Sequence, residues 1–417
     1  METKLNSKLW VKNIVLFLTG QSVSLFGSSL VQYAIMWYIA RQTDSGALVG
    51  LFAVVAFLPQ VVIGMFGGVI ADRFNRKYII LLADGSIALA TLILAIIMMF
   101  GYENIGFIMF ISAVRSVGAG IQSPAVSAVI PQIVPQNQLM RVNGIYSSIT
   151  SVVNLAAPIS AGSILRIGAF YNVLLIDVIT ACIAIGILLF IKIEMHKRSE
   201  ENTSVIEDFK KGLSYTLSHK FIRYILNLNI WIFILIIPAT MFNVLLVTRS
   251  FGSDYFYLTL NEVSFFIGAT IGGIALASWG GFKNRMSTFN MGLIIFTIST
   301  IFLAIFSYFG HFYLYLVAMV VCGTSMSAFN SPVYVLLQEK VQPDHLGRVF
   351  SLLGVIGGAI MPLGSVIYGP IVDYVRIEFL MLINAVIMGV IIILVYRNKA
   401  FMAEGLPSPK VDEGANN

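Results

Sequence analysis

Gly68-Val-Ile-Ala-Asp72-Arg73-Phe-Asn75-Arg76-Lys77 packs one carboxylate and three cations into a connection short enough to be a tight helix-to-helix turn. Both flanks are apolar stretches of membrane-spanning length. Arg76 and Lys77 would hold such a turn on the cytoplasmic side, where short loops concentrate Lys and Arg. Asp72 can pair with Arg73 or Arg76 and can also accept from the exposed backbone ends of neighbouring helices. The plainer alternative is a charged turn that only fixes topology.

Around this turn the 417-residue chain is 58% hydrophobic and 11% charged. A soluble domain carries roughly 25% charge, so the expectation is membrane residence. The apolar residues come in blocks of about 20, each enough to cross a bilayer core of roughly 30 Å as a helix. They fall at 14–39, 46–70, 78–100, 105–130, 143–165, 170–192, 222–247, 256–280, 287–308, 312–337, 350–374 and 378–396, which makes twelve spans. The first is too long for a signal-peptide core and is expected to stay as helix one. Cys182 and Cys322 both lie inside spans, so no disulfide framework and no Cys metal site is expected. The net charge of +6 raises nucleic acid as a partner, but its distribution argues against one. Of the 26 Lys and Arg, Arg41, Arg166, Arg249 and Arg376 fall outside, Arg115 lies within a span, and the rest are cytoplasmic. That asymmetry fixes an orientation with both termini cytoplasmic.

The largest hydrophilic interruption divides the spans six and six. The predicted organisation is an N-terminal six-helix bundle (1–192), a cytoplasmic linker (193–220), a C-terminal six-helix bundle (221–399) and a cytoplasmic tail (400–417). Within the linker, Ile206, Phe209, Leu213 and Leu217 recur at helical spacing among charges, as in a surface helix. The halves read as diverged copies. Ser123-Pro124, Pro135 and Arg141 are echoed by Ser331-Pro332, Pro343 and Arg348; Pro158 is echoed by Pro362. The turn Gly280-Gly281-Phe-Lys283-Asn284-Arg285 echoes the opening motif. Repeated halves with a site at their interface are how many secondary transporters are built. Pairs of small residues four apart recur in spans two (Gly64, Gly68), five (Ala157, Ala161), eight (Gly268, Gly272) and eleven (Gly354, Gly358). This spacing lets helix backbones approach closely.

On these residues the chain resembles the major facilitator superfamily over essentially its whole length. The opening stretch looks like that superfamily's loop 2–3 signature, with Asn75 where glycine is usual. Arg115 with Gly118 and Gly120 is similar to its helix-four arginine motif, the glycines being off by one. Ala157-Pro158-Ile-Ser-Ala161-Gly162 looks like a weakened antiporter signature, with alanine replacing two glycines. Within the superfamily the chain looks like the macrolide-efflux branch of bacterial drug:proton antiporters. That likeness is carried by Glu339-Lys340, by Pro343-Asp-His-Leu346-Gly347-Arg348-Val-Phe350-Ser351, and by Asp84, Asp177 and Glu262. The resemblance implies an all-α membrane protein, with twelve transmembrane helices in two pseudo-symmetric six-helix bundles. It also implies that helices two and eleven, and five and eight, meet across the bundle boundary. Gly64, Ala157, Pro158, Ala161, Gly268, Gly272, Gly354 and Gly358 would then form interdomain packing.

No Gly-Lys dipeptide occurs, so no P-loop can form, and neither HExxH nor GxSxG is present. The expectation is a transporter rather than an enzyme, driven by a proton gradient, with no cofactor and no metal. Gln21, Ser24, Ser28 and Gln32 share one face of helix one, ending beside Tyr33. They are read as lining a substrate cavity, with inter-helix hydrogen bonding as the plainer alternative. Asn227, Trp231 and Asn243 in helix seven, and Met326, Asn330 and Tyr334 in helix ten, join them, core packing being the alternative. Arg115 and Asp177 lie at comparable depth in their spans, where a lone charge costs at least about 2.5 kcal/mol, and are predicted to be linked. They are proton-coupling candidates together with Asp84 and Glu262; Asp84 instead supporting the Asp72 turn, and Glu262 being simply hydrated, are the alternatives. Helix one holds no acid, which favours neutral or weakly basic substrates, or a carboxylate supplied elsewhere. Gly68, Asp72, Arg73 and Arg76 are expected to gate. The expected function is proton-coupled export of hydrophobic drugs, macrolides among them, from the bacterial cell membrane by a monomer. Export of a siderophore, tetracycline-type efflux, a non-transporting receptor and an ATP-binding accessory partner stand as alternatives.

Overall fold

The computed structural model describes residues 2–191 and 213–406, without the side chains of 2–9, 68–73 and 343–344. Among the described residues, twelve helical segments are long and apolar enough to cross a membrane, and there is no strand. The first six are α1 (Glu2–Thr43), α2 (Gly46–Arg73), α3 (Arg76–Met99), α4 (Ile105–Ile133), α5 (Leu139–Ile167) and α6 (Phe170–Leu189). The seventh span is two helices, α7 (Lys220–Thr240) and α8 (Asn243–Phe251). Then come α9 (Tyr255–Trp279), α10 (Arg285–Tyr308), α11 (Phe312–Lys340), α12 (Pro343–Tyr374) and α13 (Ile377–Arg397), followed by the short α14 (Lys399–Ala403). Helix is the form these apolar blocks take because hydrocarbon offers the backbone no partner of its own.

The ends of the helices carry the clearest trace of duplication. Asn75 caps α3 by accepting from the amide of Lys77, and Asn284 caps α10 by accepting from the amide of Met286. At their other ends α3 and α10 both stop at a Phe-Gly pair, with Gly101 at φ +80° and Gly310 at φ +72°. Tyr102 N–H bonds back to Ile97 O, and His311 N–H to Phe306 O, closing the same six-residue loop at each C-terminus. Glycine takes this left-handed conformation without the clash a Cβ would bring, and the bonds it permits satisfy carbonyls that the helix leaves open.

The structure departs from the expected spans in two places. The single helix predicted at 222–247 is broken at Met241-Phe242, and Pro238 lies inside its first segment, three residues before the break. α12 begins at Pro343 rather than near residue 350, because apolar length reports depth in lipid while the helix runs on into water. Pro343 at the first helical position gives up no bond that the helix would have used. The linker helix expected within 193–220 lies outside the described residues over 193–212; 213–218 is helical. The tail beyond 406 is likewise outside them.

The described chain forms two compact units. Within the described residues, unit one comprises 2–191 together with Thr240–Val263 and Gly358–Val375; unit two comprises 213–239, Ser264–Gly357 and 376–406. The units therefore follow packing rather than the halves of the chain, since parts of α8, α9 and α12 pack with the first six helices. In unit one, α3 packs on α4 and on α6; in unit two, α10 packs on α11 and on α13, which is the same scheme one repeat later. A cluster of buried apolar side chains, including Phe17, Ile80, Val129, Val142 and Leu188, ties α1, α3, α4, α5 and α6 together. The opposite face of α3 shows Leu82, Leu89, Ile93 and Ile96, and α13 shows Phe379, Ile383, Val386, Val390 and Ile393. Apolar stripes left exposed at helical spacing fit lipid as solvent.

Candidate functional site

A polar cluster lies inside unit one, built from α1, α3, α4 and α6. Asp177 is 1% exposed and is its centre. Arg115 Nη1 donates to Asp177 Oδ2 and also contacts Thr91 Oγ1. Thr91 Oγ1 lies 3.1 Å from the same carboxylate oxygen, and Ser28 Oγ donates to Oδ1 at 3.4 Å. Gly27 makes room: a Cβ there would run into Thr180 Oγ1 and the Asp177 carboxylate. Asp84, 2% exposed, accepts from Ser24 Oγ at 3.0 Å and from Gln122 Nε2. Its second oxygen, Oδ2, is buried without a hydrogen-bond partner. The cluster thus holds two carboxyls and one guanidinium away from water. The cation is taken by Asp177, so Asp84 is the carboxyl left without a counter-charge. Burying an ionised carboxylate unpaired is expensive, and a bound proton removes that cost.

The structure brings Arg115 and Asp177 into direct contact. The hydrogen bonds of Asp84 run to Ser24 and Gln122, while the side chain of Asp72, whose turn Asp84 was the alternative to support, lies outside the described residues. The helix-one stripe is corrected. Ser24 and Ser28 bond to the two carboxyls, and Gln21 is 5% exposed, so inter-helix bonding describes these three better than cavity lining. Gln32 Nε2 is buried without an acceptor, and the Tyr33 ring packs on Trp37 with centroids 5.9 Å apart. Asn227 and Trp231 are both exposed, whereas Asn243 is buried at the start of α8. In unit two, Asn330 lies beside the sulfur of Met326, and Tyr334 stacks on Phe350.

The side chains of Gly68, Asp72 and Arg73, expected to gate, lie outside the described residues. Arg76 donates to the backbone oxygen of Ala128 in α4 at 2.6 Å. Lys77 Nζ donates to the carbonyls of Leu189 and Ile191 at the end of α6, where a helix's dipole and open carbonyls favour a cation. In unit two, Arg285 faces Glu339 at 3.6 Å, and Lys340 pairs with Glu404 at 2.9 Å.

The small-residue pairs divide. Gly64 faces the Gly120 backbone of α4, and Gly268 and Gly272 meet Val320 and Thr324 of α11, so these three pack neighbouring helices within one unit rather than across the bundle boundary. A Cβ at Gly354 would meet nothing. Gly358 does meet Val61 of α2. Ala157, Pro158 and Ala161 are buried in α5, and the adjoining Gly162 is pressed against Thr259 of α9.

Sequence reading missed a second assembly, at the end of unit one that carries the α1–α2 turn. There α2 and α12 touch backbone to backbone: a Cβ at Gly46 would strike Gly369, and one at Gly50 would strike the Ser365 carbonyl. Asp373 accepts from the amides of Gly46 and Ala47 and from Ser45 Oγ. Arg249, on the short α8, donates from Nε to Asp44 Oδ1 at 2.8 Å, from Nη2 to Asp44 O at 2.6 Å and from Nη1 to Val372 O at 2.9 Å. Nearby, Arg166 faces Asp254 at 3.6 Å, and the Arg41 guanidinium lies 4.0 Å above the Tyr255 ring. The available signal was that three of the four arginines assigned outside, Arg41, Arg166 and Arg249, are members of this assembly.

Twelve spans, duplicated local devices and a buried acid cluster describe a secondary transporter. The sequence model of the Major Facilitator Superfamily matches residues 17–365 and again, overlapping, 229–414, and the chain belongs to that superfamily. Macrolide efflux protein A of Streptococcus pyogenes is 27% identical over 377 residues, 90% of this chain and 93% of its own. The staphyloferrin A transporter of Staphylococcus aureus is 21% identical over 363 residues, 84% of this chain and 87% of its own. A solved bacterial homolog of the human lysosomal transporter Spinster, inward-facing and unoccupied, shares the fold with a TM-score of 0.71 at 14% identity. That alignment covers 96% of this chain and 99% of the other. The chain is a multi-pass membrane transporter, not an enzyme.

Proposed function

We propose that this transporter exports hydrophobic drugs, macrolides among them, from bacteria in exchange for protons. It sits in the cell membrane with both termini cytoplasmic, as the placement of Lys and Arg directs. It works as a monomer on a small molecule taken from the cytoplasm or bilayer, and the proton gradient is its energy source. The observation that carries the reading is Asp84: a buried carboxyl, one oxygen unpartnered, beside the Arg115–Asp177 pair. Intramembrane acids of this kind mark proton pathways in transporters. In this scheme Asp84 takes up and gives off the proton, and Arg115 with Asp177 holds the surrounding helices in register. The similarity to macrolide efflux protein A supports the substrate class.

The assembly around Arg249, Asp44 and Asp373 lies on the extracellular side in this orientation and holds that exit closed. Opening it breaks a handful of polar contacts and separates α2 from α12 at Gly46 and Gly50. The Asp72 turn on the cytoplasmic side is the matching latch for the opposite state. A second reading, export of an endogenous siderophore, is favoured by the similarity to the staphyloferrin A transporter. Accumulation assays in cells with and without the protein, across macrolides, tetracyclines and a siderophore, with and without a protonophore, separate the two. Protonophore-sensitive exclusion of macrolides supports the first; exclusion of the siderophore alone supports the second.

A further inference from the structure

α1 and α9 face each other along a ladder of side chains whose outer rung, Arg41 over Tyr255, adjoins the Arg249 assembly and whose inner rungs neither that assembly nor the acid cluster uses. On α1, Tyr33, Trp37 and Arg41 are four apart and share one face; on α9, Tyr255 and Glu262 share another. The rungs meet in order. Arg41 lies over the Tyr255 ring, and the Trp37 and Tyr255 rings are 6.2 Å apart. Tyr33 packs under Trp37, and Glu262, seven residues along α9 from Tyr255 and so about 10.5 Å deeper on the same face, comes level with it. At 1.5 Å per residue, Tyr33 lies about 12 Å below Arg41 along the helix.

Glu262 is a partly buried carboxylate inside a span. Among the described residues its one hydrogen bond is a long contact of 3.4 Å from Asn261, and it forms no ion pair. A carboxylate in this setting needs a proton or a positive partner. Tyr33 beside it, beneath the Trp37–Tyr255 roof, adds the π surface that attracts a cation once water is excluded. Arg41 covers the outer face of that roof.

We infer that Glu262 and Tyr33, beneath Trp37 and Tyr255, form a subsite for the positively charged centre of a lipophilic amine or onium substrate. The inference deepens the export reading and rests on it. The membrane span of α1 supplies no acid of its own; α9 supplies it from across the ladder. Arg41, of like charge, would hold the bound cation from leaving outward until the roof opens.

The test is equilibrium dialysis of the full chain in lipid nanodiscs, with tetraphenylphosphonium as the cation and triphenylphosphine oxide as its neutral counterpart. Wild type is expected to bind the cation saturably. Glu262→Gln should weaken that binding roughly tenfold or more while changing the neutral compound by less than about twofold, and Glu262→Asp should retain it. If Glu262→Gln does not fold, Tyr33→Leu is the second variant, with a severalfold loss expected for the cation alone. Absence of saturable cation binding by wild type, equal binding by wild type and variant, or equal losses for both compounds would overturn the inference. Failure of the export reading shows separately, as no protonophore-sensitive transport of any compound by wild type in vesicles, and leaves the binding result standing.

Discussion

Asp373, at the C-terminal end of α12, caps the first turn of α2 by accepting from the amide of Gly46. The cap comes from a residue more than three hundred positions away. It ties the start of one helix to the end of another, and Arg249 secures the same junction through Asp44 and the Val372 carbonyl. Loss of a capping side chain costs about 1 kcal/mol. In a transporter that cost falls on one conformation, so its effect is a shift in population.

Asp373→Ala and Arg249→Ala are expected to loosen this junction without unfolding the protein. In a background of Cys182→Ser and Cys322→Ser, a cysteine placed at Ser365, which is fully buried against Gly50, reports it. Labelling from outside the cell by a membrane-impermeant maleimide should rise about fivefold, as a shift of roughly 1 kcal/mol requires. Unchanged labelling would show that the junction does not control access.

Gly50→Leu is expected to keep the α2 and α12 backbones from closing, because its side chain must occupy the space of the Ser365 carbonyl. Export should fall by at least about tenfold while membrane insertion is unchanged. Gly389→Ala, where a Cβ meets open space, is the matched control and should behave as wild type. Equal activity of both variants would remove the close approach from the mechanism.

Arg115→Met and Asp177→Leu each leave one buried charge uncompensated, at a cost of roughly 3–5 kcal/mol. Combining them removes both charges, and stability should recover well beyond the sum of the single losses. Thermal unfolding in detergent of the two single variants and the double decides it. Additive losses would mean that the two side chains do not act as a pair.

Asn75→Ala should lower stability by about 1 kcal/mol through loss of the α3 cap, and Asn75→Gly by only a few tenths. The same ranking should hold at Asn284 for α10. Denaturation series in detergent give the ordering. Indifference to both alanine substitutions would contradict the duplicated cap.

The span count and the Arg115–Asp177 contact were legible from hydropathy and from the rarity of charge in lipid. Asn75 looked like a departure from a glycine pattern and proved to be a helix cap. That function shows only when the helix start is placed to the residue. The roles of Ser24 and Ser28 were misread because a polar stripe looks alike whether it faces a chamber or a neighbour's carboxylate. Gly46 and Gly50 went unnoticed because four-residue spacing of small residues marks close packing without naming the partner. Their true partners, Gly369 and Ser365, lie in a distant helix that no local pattern connects to them. The break after Pro238 hid Arg249's position in the same way, since hydropathy runs straight through it.

The most direct test of proton-coupled export through the acid cluster uses inside-out membrane vesicles loaded acidic, with a macrolide outside. Wild type should accumulate the drug, collapse of the gradient by a protonophore should abolish accumulation, and Asp84→Asn should insert normally yet accumulate none. Gradient-driven accumulation by Asp84→Asn at the wild-type level, or accumulation that survives the protonophore, would contradict the account.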